Sequence, residues 1–334
     1  MATLAEQVQG ERQARMVLSM IAEPNDPATG HVLARAGGVE TLRLIESDDP
    51  LPDLARADAL IWRQRLAART APNLPEQMAE AARLGFGTVI PADKEWPAGL
   101  DDLGDRAPYI LWTRGASSFL TTPLRERVTI TGSRAATPYG EHVAADIAAN
   151  LAEDERVIVA GGAYGIEGAA HQGALAQGGH TIAVLAGGLD RLYPSGNREL
   201  LERIADLGLL VSELPPGAAP TRHRFLARSR LLAALSGVTV IPEASARSGS
   251  LRTATHAHAL GRAVAAIPGP VTSVTSDGPH ELIKHGHATI ATTTSDITVL
   301  LDSGKPPRRG PARSELGQEF TYQYQTPGVP GRSI

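Results

Sequence analysis

From residue 127 onward, short apolar runs alternate with helix-patterned stretches, and most runs end on a serine or are followed within two residues by a glycine. The runs lie at 128–130, 156–160, 181–185, 209–212, 238–241 and 263–267. Helical patterns fill the gaps at 139–151, 166–177, 197–207, 225–235 and 251–260. The runs are dominated by consecutive apolar residues rather than alternating with polar ones, so each strand must be buried on both faces. That requirement selects a parallel sheet covered by helices on both sides, joined by right-handed crossovers.

The chain of 334 residues is too long for this unit alone. Residues 1–80 show helical spacing and no strand pattern, as expected for a small module of the sterile-alpha-motif or helix-hairpin-helix kind. A connecting region follows, with Trp96-Pro97 and a loop-then-strand pattern over 107–115. Residues 303–334 are rich in Pro, Gly, Arg and Ser, a composition that predicts a disordered tail. The expected organisation is a helical domain at 1–80, an α/β core at 81–302 and a tail at 303–334. No run of 18 apolar residues exists, which argues against a membrane partner. The N-terminus lacks the layout of a signal peptide. With no cysteine there is no disulfide or thiolate metal site, and a cytoplasmic location is expected.

Net charge is −4, but its distribution matters more than its sum. Residues 1–80 hold 12 acidic and 8 basic side chains, whereas 220–262 hold seven arginines and one acid, Glu243. Three strand ends carry small-residue loops that feed a helix: Thr131-Gly132-Ser133-Arg134, Gly161-Gly162-Ala163-Tyr164-Gly165 and Ser248-Gly249-Ser250. In an open parallel sheet, ligands bind beyond the carboxyl ends of the strands, where helix N-termini attract anions. Glycine permits close backbone approach, the hydroxyls of Ser133, Ser248 and Ser250 add donors, and Arg134 can clamp a phosphate with two hydrogen bonds. One such loop is explained by the tight turn alone. Three in one sheet, beside the run Arg222-His223-Arg224-Phe225-Leu226-Ala227-Arg228-Ser229-Arg230, point to a phosphate track. The run is expected to start as loop and turn helical near Phe225, which packs in the core or stacks on a base.

Over about 96–288 the sequence resembles the DNA-processing protein A (DprA/Smf) family. The resemblance rests on Gly132-Ser133-Arg134 with Thr137-Pro138-Tyr139-Gly140, on Gly161-x-Ala163-x-Gly165-Ile166, and on Leu185-x-Gly187-Gly188-Leu189-Asp190-x-x-Tyr193-Pro194. Phe225-x-x-Arg228-x-Arg230 and Glu243-Ala244 through Ser248-Gly249-Ser250 continue it in order. It implies a Rossmann-like doubly wound sheet, a homodimer, and a non-enzymatic protein that binds single-stranded DNA and delivers it to a RecA-type recombinase in natural transformation or recombination. The implied DNA-binding residues are Gly132, Ser133, Arg134, Gly161, Arg222, Phe225, Arg228, Arg230, Ser248, Gly249 and Ser250. Four positions depart from the family pattern: Ala160 for serine, Glu167 for aspartate, Leu226 for proline and Ser229 for asparagine.

A nucleotide-binding or nucleotide-cleaving enzyme of related Rossmann-like type is the alternative, with Glu213 or Glu243 as a general base. Against it, the two glutamates sit where they can hold arginines or cap helices. A dinucleotide-dependent oxidoreductase lacks its G-x-G-x-x-G spacing after the first strand. No metal or cofactor is expected: His256-x-His258 and His285-x-His287 are spaced so that helical side chains point apart, and His171 suits packing or capping better than catalysis.

Overall fold

The computed structural model describes residues 3–70 and 74–303; from residue 304 on, the expected tail lies outside the described residues. Five helices come first: α1 (Gly10–Ile21), α2 (Pro27–Ala36), α3 (Gly38–Ile45), α4 (Arg56–Ala67) and α5 (Leu74–Arg83). Asp26 caps α2 by accepting from the Thr29 N–H, and Pro27 occupies the first helical position, where its missing N–H costs nothing. Gly37, at φ 78°, turns the chain from α2 into α3. Val17, Leu18, Ile21, Val32, Leu42, Trp62 and Leu66 form the shared core of these helices. The buried Trp62 indole donates to Thr29 Oγ1 at 2.9 Å.

Nine strands and seven further helices follow. They are β1 (Gly87–Val89), β2 (Leu111–Gly115), β3 (Arg127–Ile130), α6 (Pro138–Glu153), β4 (Val157–Ala160), α7 (Ile166–Ala176), β5 (Thr181–Val184) and α8 (Arg198–Leu207). Then come β6 (Leu209–Ser212), α9 (Arg222–Ala234), β7 (Val238–Ile241), α10 (Leu251–Ala259), β8 (Ala263–Ala266), α11 (Asp277–Lys284), β9 (Thr289–Ile290) and α12 (Thr294–Asp302). The strand order is β1-β2-β6-β5-β4-β3-β7-β8-β9. β3 to β9 are mutually parallel, as the continuous apolar runs require. β1 and β2 add an antiparallel edge, a feature the pattern of crossovers does not announce. Among the described residues, no helix is long and apolar enough to cross a membrane.

The chain builds outward from β3 through β4, β5 and β6, then crosses back to place β7 on the other side of β3. The order reverses between β3 and β7, so the crevice above their carboxyl ends is the topological switch point. The helical half is tied to this sheet by specific contacts. Arg12 reaches the Thr88 carbonyl at 2.7 Å and Asp93 at 2.6 Å, Arg15 the Tyr109 carbonyl at 2.8 Å, and the Trp112 indole Ser19 Oγ at 3.2 Å.

α6 and α7 cross closely because Gly173 has no side chain: a Cβ there would lie 2.2 Å from the Ala145 carbonyl oxygen. Helix propensity favours Gly173→Ala by about 1 kcal/mol, but the backbone collision costs more, about 1–3 kcal/mol for overpacking. The variant should therefore unfold at a lower urea midpoint than the parent. A higher midpoint would show that the two helices separate at little cost.

Candidate nucleic-acid interface

The loop after β3 holds Gly132, Ser133 and Arg134 over the switch point. A Cβ on Gly132 would sit 2.4 Å from the Glu243 carbonyl oxygen and 2.7 Å from Ile166, so only glycine lets the β3 and β7 loops close together. The Ser133 N–H donates to that same carbonyl at 2.7 Å. Glu243 itself is buried and works as a cap. Its carboxylate accepts from the Thr137 N–H at 2.9 Å and from Thr137 Oγ1 at 2.7 Å, fixing the start of α6.

Arg134 emerges exposed, and its guanidinium carbon stands 4.3 Å from the centroid of the Phe225 ring. Tyr193 meets the same ring edge-on at 5.9 Å and is half-exposed. Tyr164, also half-exposed, accepts from the Gly196 N–H at 3.1 Å, three residues beyond Tyr193. Aromatic residues make up only 4% of the chain, yet three of them gather on one rim of the crevice. Beside Tyr193 and Phe225 a narrow recess is walled by Gly161, Gly187, Gly188, Arg191 and these two rings.

The arginine run divides into outward and inward members. α9 begins at Arg222 rather than at Phe225, because Thr221 caps it by accepting from the Arg224 N–H at 3.3 Å. Arg222 and His223 are exposed on its first turn. Arg224 is held by Glu23 at 3.0 Å, an ion pair between α9 and the turn after α1. Arg228 points down into the sheet. Its Nη1 donates to the carbonyls of Gly161 at 2.7 Å and Val184 at 3.2 Å, and its Nη2 to Glu167 at 3.1 Å. A Cβ on Gly161 would lie 1.8 Å from Arg228 Nη1, so this glycine makes room for the guanidinium. Arg230 is fully buried, paired two-to-two with Glu213 at 2.7 and 2.6 Å and donating further to the Arg106 and Ala227 carbonyls.

Glu167 completes the inward set. It accepts from Thr131 Oγ1 at 2.7 Å and from the Ala163 N–H at 3.0 Å, besides Arg228. Burial pushes its carboxyl up, but the Arg228 charge and these hydrogen bonds outweigh it and hold the group below its ordinary range, ionised. His171 lies fully buried beside it and shares a 2.7 Å hydrogen bond with Thr181 Oγ1. Desolvation drives its pKa down to about 4, so the ring is neutral at pH 7. On the far side of the crevice, Ser248 and Ser250 bond to each other at 2.7 Å ahead of α10, and Gly249 lies beside Leu226 of α9. The rings of His258 and His287 pack at a tilt with centroids 4.8 Å apart; among the described residues no three His, Cys, Asp or Glu side chains gather to hold a metal.

The structure thus brings Gly132, Ser133, Arg134, Phe225 and Gly161 together at one crevice, with Arg222 at the head of α9 and Ser248–Ser250 against its flank. It sets Arg228 and Arg230 beneath, each bonded to a carboxylate. Tyr164 and Tyr193 stand at the crevice without having been singled out from the sequence. Tyr193 carried a signal, its place in the Asp190-x-x-Tyr193-Pro194 motif, but no chemistry pointed from that motif to the ring.

Fold and crevice together define a class: a doubly wound α/β protein whose switch point is lined by glycine loops, an exposed arginine and aromatic rings. Within that class, the chain belongs to the DNA recombination-mediator protein A family, whose model matches residues 87–302. A DprA-named protein of Mycobacterium tuberculosis is 42% identical over 330 residues, spanning 94% of this chain and 82% of that protein. The X-ray structure of DNA processing protein A from Streptococcus pneumoniae superposes with a TM-score of 0.71 at 31% identity, covering 85% of this chain and 96% of that one. A Helicobacter pylori DNA processing protein A, solved for its single-stranded DNA binding mode, superposes with a TM-score of 0.59 at 33% identity over 65% of this chain and 96% of that one.

Two outcomes follow. Arg230→Met leaves Glu213 buried without a partner and should cost about 3–5 kcal/mol, while the double variant Arg230→Met/Glu213→Leu should recover most of that loss. Chemical denaturation of the three proteins checks this; equal losses in single and double variants would contradict it. The second outcome concerns pH. His171 titrates near 4 folded against 6.5 for the free group, so the unfolded chain takes up the proton first as pH falls. Its share of stability is intact above 6.5 and lost down to about 4, a loss on the order of 3 kcal/mol. Denaturation midpoints across that range should fall less steeply in His171→Gln than in the parent.

Proposed function

We propose that the crevice grips the backbone of single-stranded DNA. The observation that carries this reading is the exposed Arg134 guanidinium, laid over Phe225, whose ring also meets Tyr193 edge-on, at the switch point of the sheet. A fork of N–H donors for phosphate beside rings that can stack on bases suits a flexible, unpaired strand. Gly132, Ser133, Arg134, Arg222 and Phe225 contact the strand, and Ser248, Gly249 and Ser250 line its far side. Gly161, Arg228 and Arg230 serve it from below, by fixing the loops and α9 that present the contacts. Binding is the activity, with no bond made or broken. The nucleotide-cleaving alternative needs a free carboxylate, and both candidates are committed, Glu213 to Arg230 and Glu243 to Thr137.

The finer reading follows the family. The chain acts as a homodimer, its core of 81–302 holds the strand, and the held DNA passes to a RecA-type recombinase in recombination or DNA uptake. The helical domain of 1–80, acidic in balance, faces proteins rather than DNA. The four departures from the family pattern are compatible with the grip. Glu167 reaches Arg228 directly, Ser229 Oγ closes onto the Leu226 carbonyl at 2.6 Å, Leu226 packs beside Gly249, and Ala160 is buried at the end of β4.

Anisotropy of a labelled oligo-dT, titrated with the wild type and with Arg134→Ala over a salt series, tests the grip. Wild-type binding should weaken steeply with salt, and Arg134→Ala should flatten the log–log slope by about 0.7, the share of one phosphate on a single strand. Absence of wild-type binding at low salt, or an unchanged slope in the variant, would overturn it.

A further inference from the structure

Of the seven arginines in 220–262, four are paired with a carboxylate: Arg224 with Glu23, Arg228 with Glu167, Arg230 with Glu213 and Arg262 with Asp102. Arg252 is not. It stands exposed on the first turn of α10, and among the described residues it forms no ion pair. Arg106, exposed at the end of the 3-10 stretch before β2, also forms none; its Nη1 donates to the Asn25 side-chain oxygen at 3.2 Å. The two belong to one groove. α9 and α10 pack side by side, beginning where Leu226, next to Phe225, meets Gly249. Arg106 is fastened to α9 by its carbonyl, which accepts from Arg230 Nε at 2.7 Å. His256 lies one turn beyond Arg252 on α10. Burial first, then the charges of Arg230, Arg252 and Arg106, push its pKa down to about 4, so the ring is neutral at pH 7.

Three guanidiniums thus converge on one neutral side chain, and of the three only Arg230 has its own carboxylate. The acids of the neighbouring 3-10 stretch are turned elsewhere: Asp101 to the Trp96 indole, Asp102 to Arg262 and Asp105 to His31. No acidic residue occurs between Glu243 and Asp277. What this groove lacks is an anion, and it opens beside Phe225. We propose that it carries a single strand onward from the crevice, with Arg252 and then Arg106 each taking one phosphate. The run from Gly249 to His256 extends about 10 Å along the helix axis, so the two cations lie beyond the reach of a phosphate held at Arg134. Each offers a planar fork of donors to phosphate, and each contact releases counterions from the strand. Arg191, on the wall of the recess, is the competing exit, but Asp190 answers its charge at 3.7 Å. The extension rests on the grip at Arg134 and gives it a direction, out between α9 and α10.

The test is a salt series on the full chain with a labelled oligo-dT of about 20 nucleotides, long enough for crevice and groove together. Arg252→Ala and Arg106→Ala should each flatten the log–log slope by about 0.7, and the double variant by about 1.4. Arg252→Lys keeps the charge and should keep the slope. Arg83→Ala, which removes an exposed charge from the helical half, should leave it unchanged. Both groove residues are exposed, and urea midpoints near the parent's show that the variants are folded. An unchanged slope in the double variant would overturn the assignment, and flattening in Arg191→Ala beside it would show the strand leaving past the recess instead. Equal flattening in Arg83→Ala, or in Arg252→Lys and Arg252→Ala alike, would overturn it too. Arg134→Ala separates this path from the grip. A slope flattened there but unchanged in the double variant removes the groove and leaves the grip, whereas no binding by the wild type removes both.

Discussion

The buried guanidinium of Arg228 is the contact on which the crevice depends. It reaches from α9 to the ends of two adjacent strands, bonding the carbonyls of Gly161 after β4 and Val184 in β5, and it neutralises Glu167 at the head of α7. Glu167 in turn holds Thr131 at the end of β3. One ionic group therefore fixes the relative heights of three strand ends and the helix that carries Phe225. A buried pair of this kind adds little net stability compared with a well-packed apolar equivalent. Its contribution is geometric: it sets where Phe225 stands, and Arg134 is stacked on Phe225.

This separates two duties within one run of arginines. Arg228 and Arg230 spend their donors on carbonyls and carboxylates inside the protein, and Arg224 is paired with Glu23 across to the helical half. Arg134 and Arg222 are left exposed. A surface built this way presents few free charges, but those it presents are held in fixed positions. Affinity then depends on placement and on the aromatic rim as much as on total charge, consistent with a chain whose net charge is −4.

Much of the fold was legible in the sequence because its cause is local. Buried parallel strands must be apolar on both faces, and tight strand-to-helix turns need glycine, so the alternation from residue 127 and the loops at Gly132 and Gly161 show through. The inward turn of Arg228 and Arg230 was not legible. An arginine on a helix looks the same whether its partner is a phosphate or a carboxylate, and the partners here lie 61 and 17 residues away. α9 starts three residues before Phe225 because Thr221 caps it, a signal that a run of like charges on the first turn hides. The antiparallel edge of β1 and β2 was likewise hidden, since its pairing depends on a return path that no local pattern encodes. Tyr164 and Tyr193 come from two different strand-end loops, and only the folded sheet brings Tyr193 against Phe225 and Tyr164 against Gly196.

Hydrogen–deuterium exchange of the full chain, with and without a short oligo-dT, tests the central claim most directly. Added strand should slow exchange over 131–136, 222–226 and 245–251, and leave 27–36 and 53–65 unchanged. Protection confined to the helical half, or to the amino-terminal ends of the strands, would contradict a grip centred on Arg134 and Phe225.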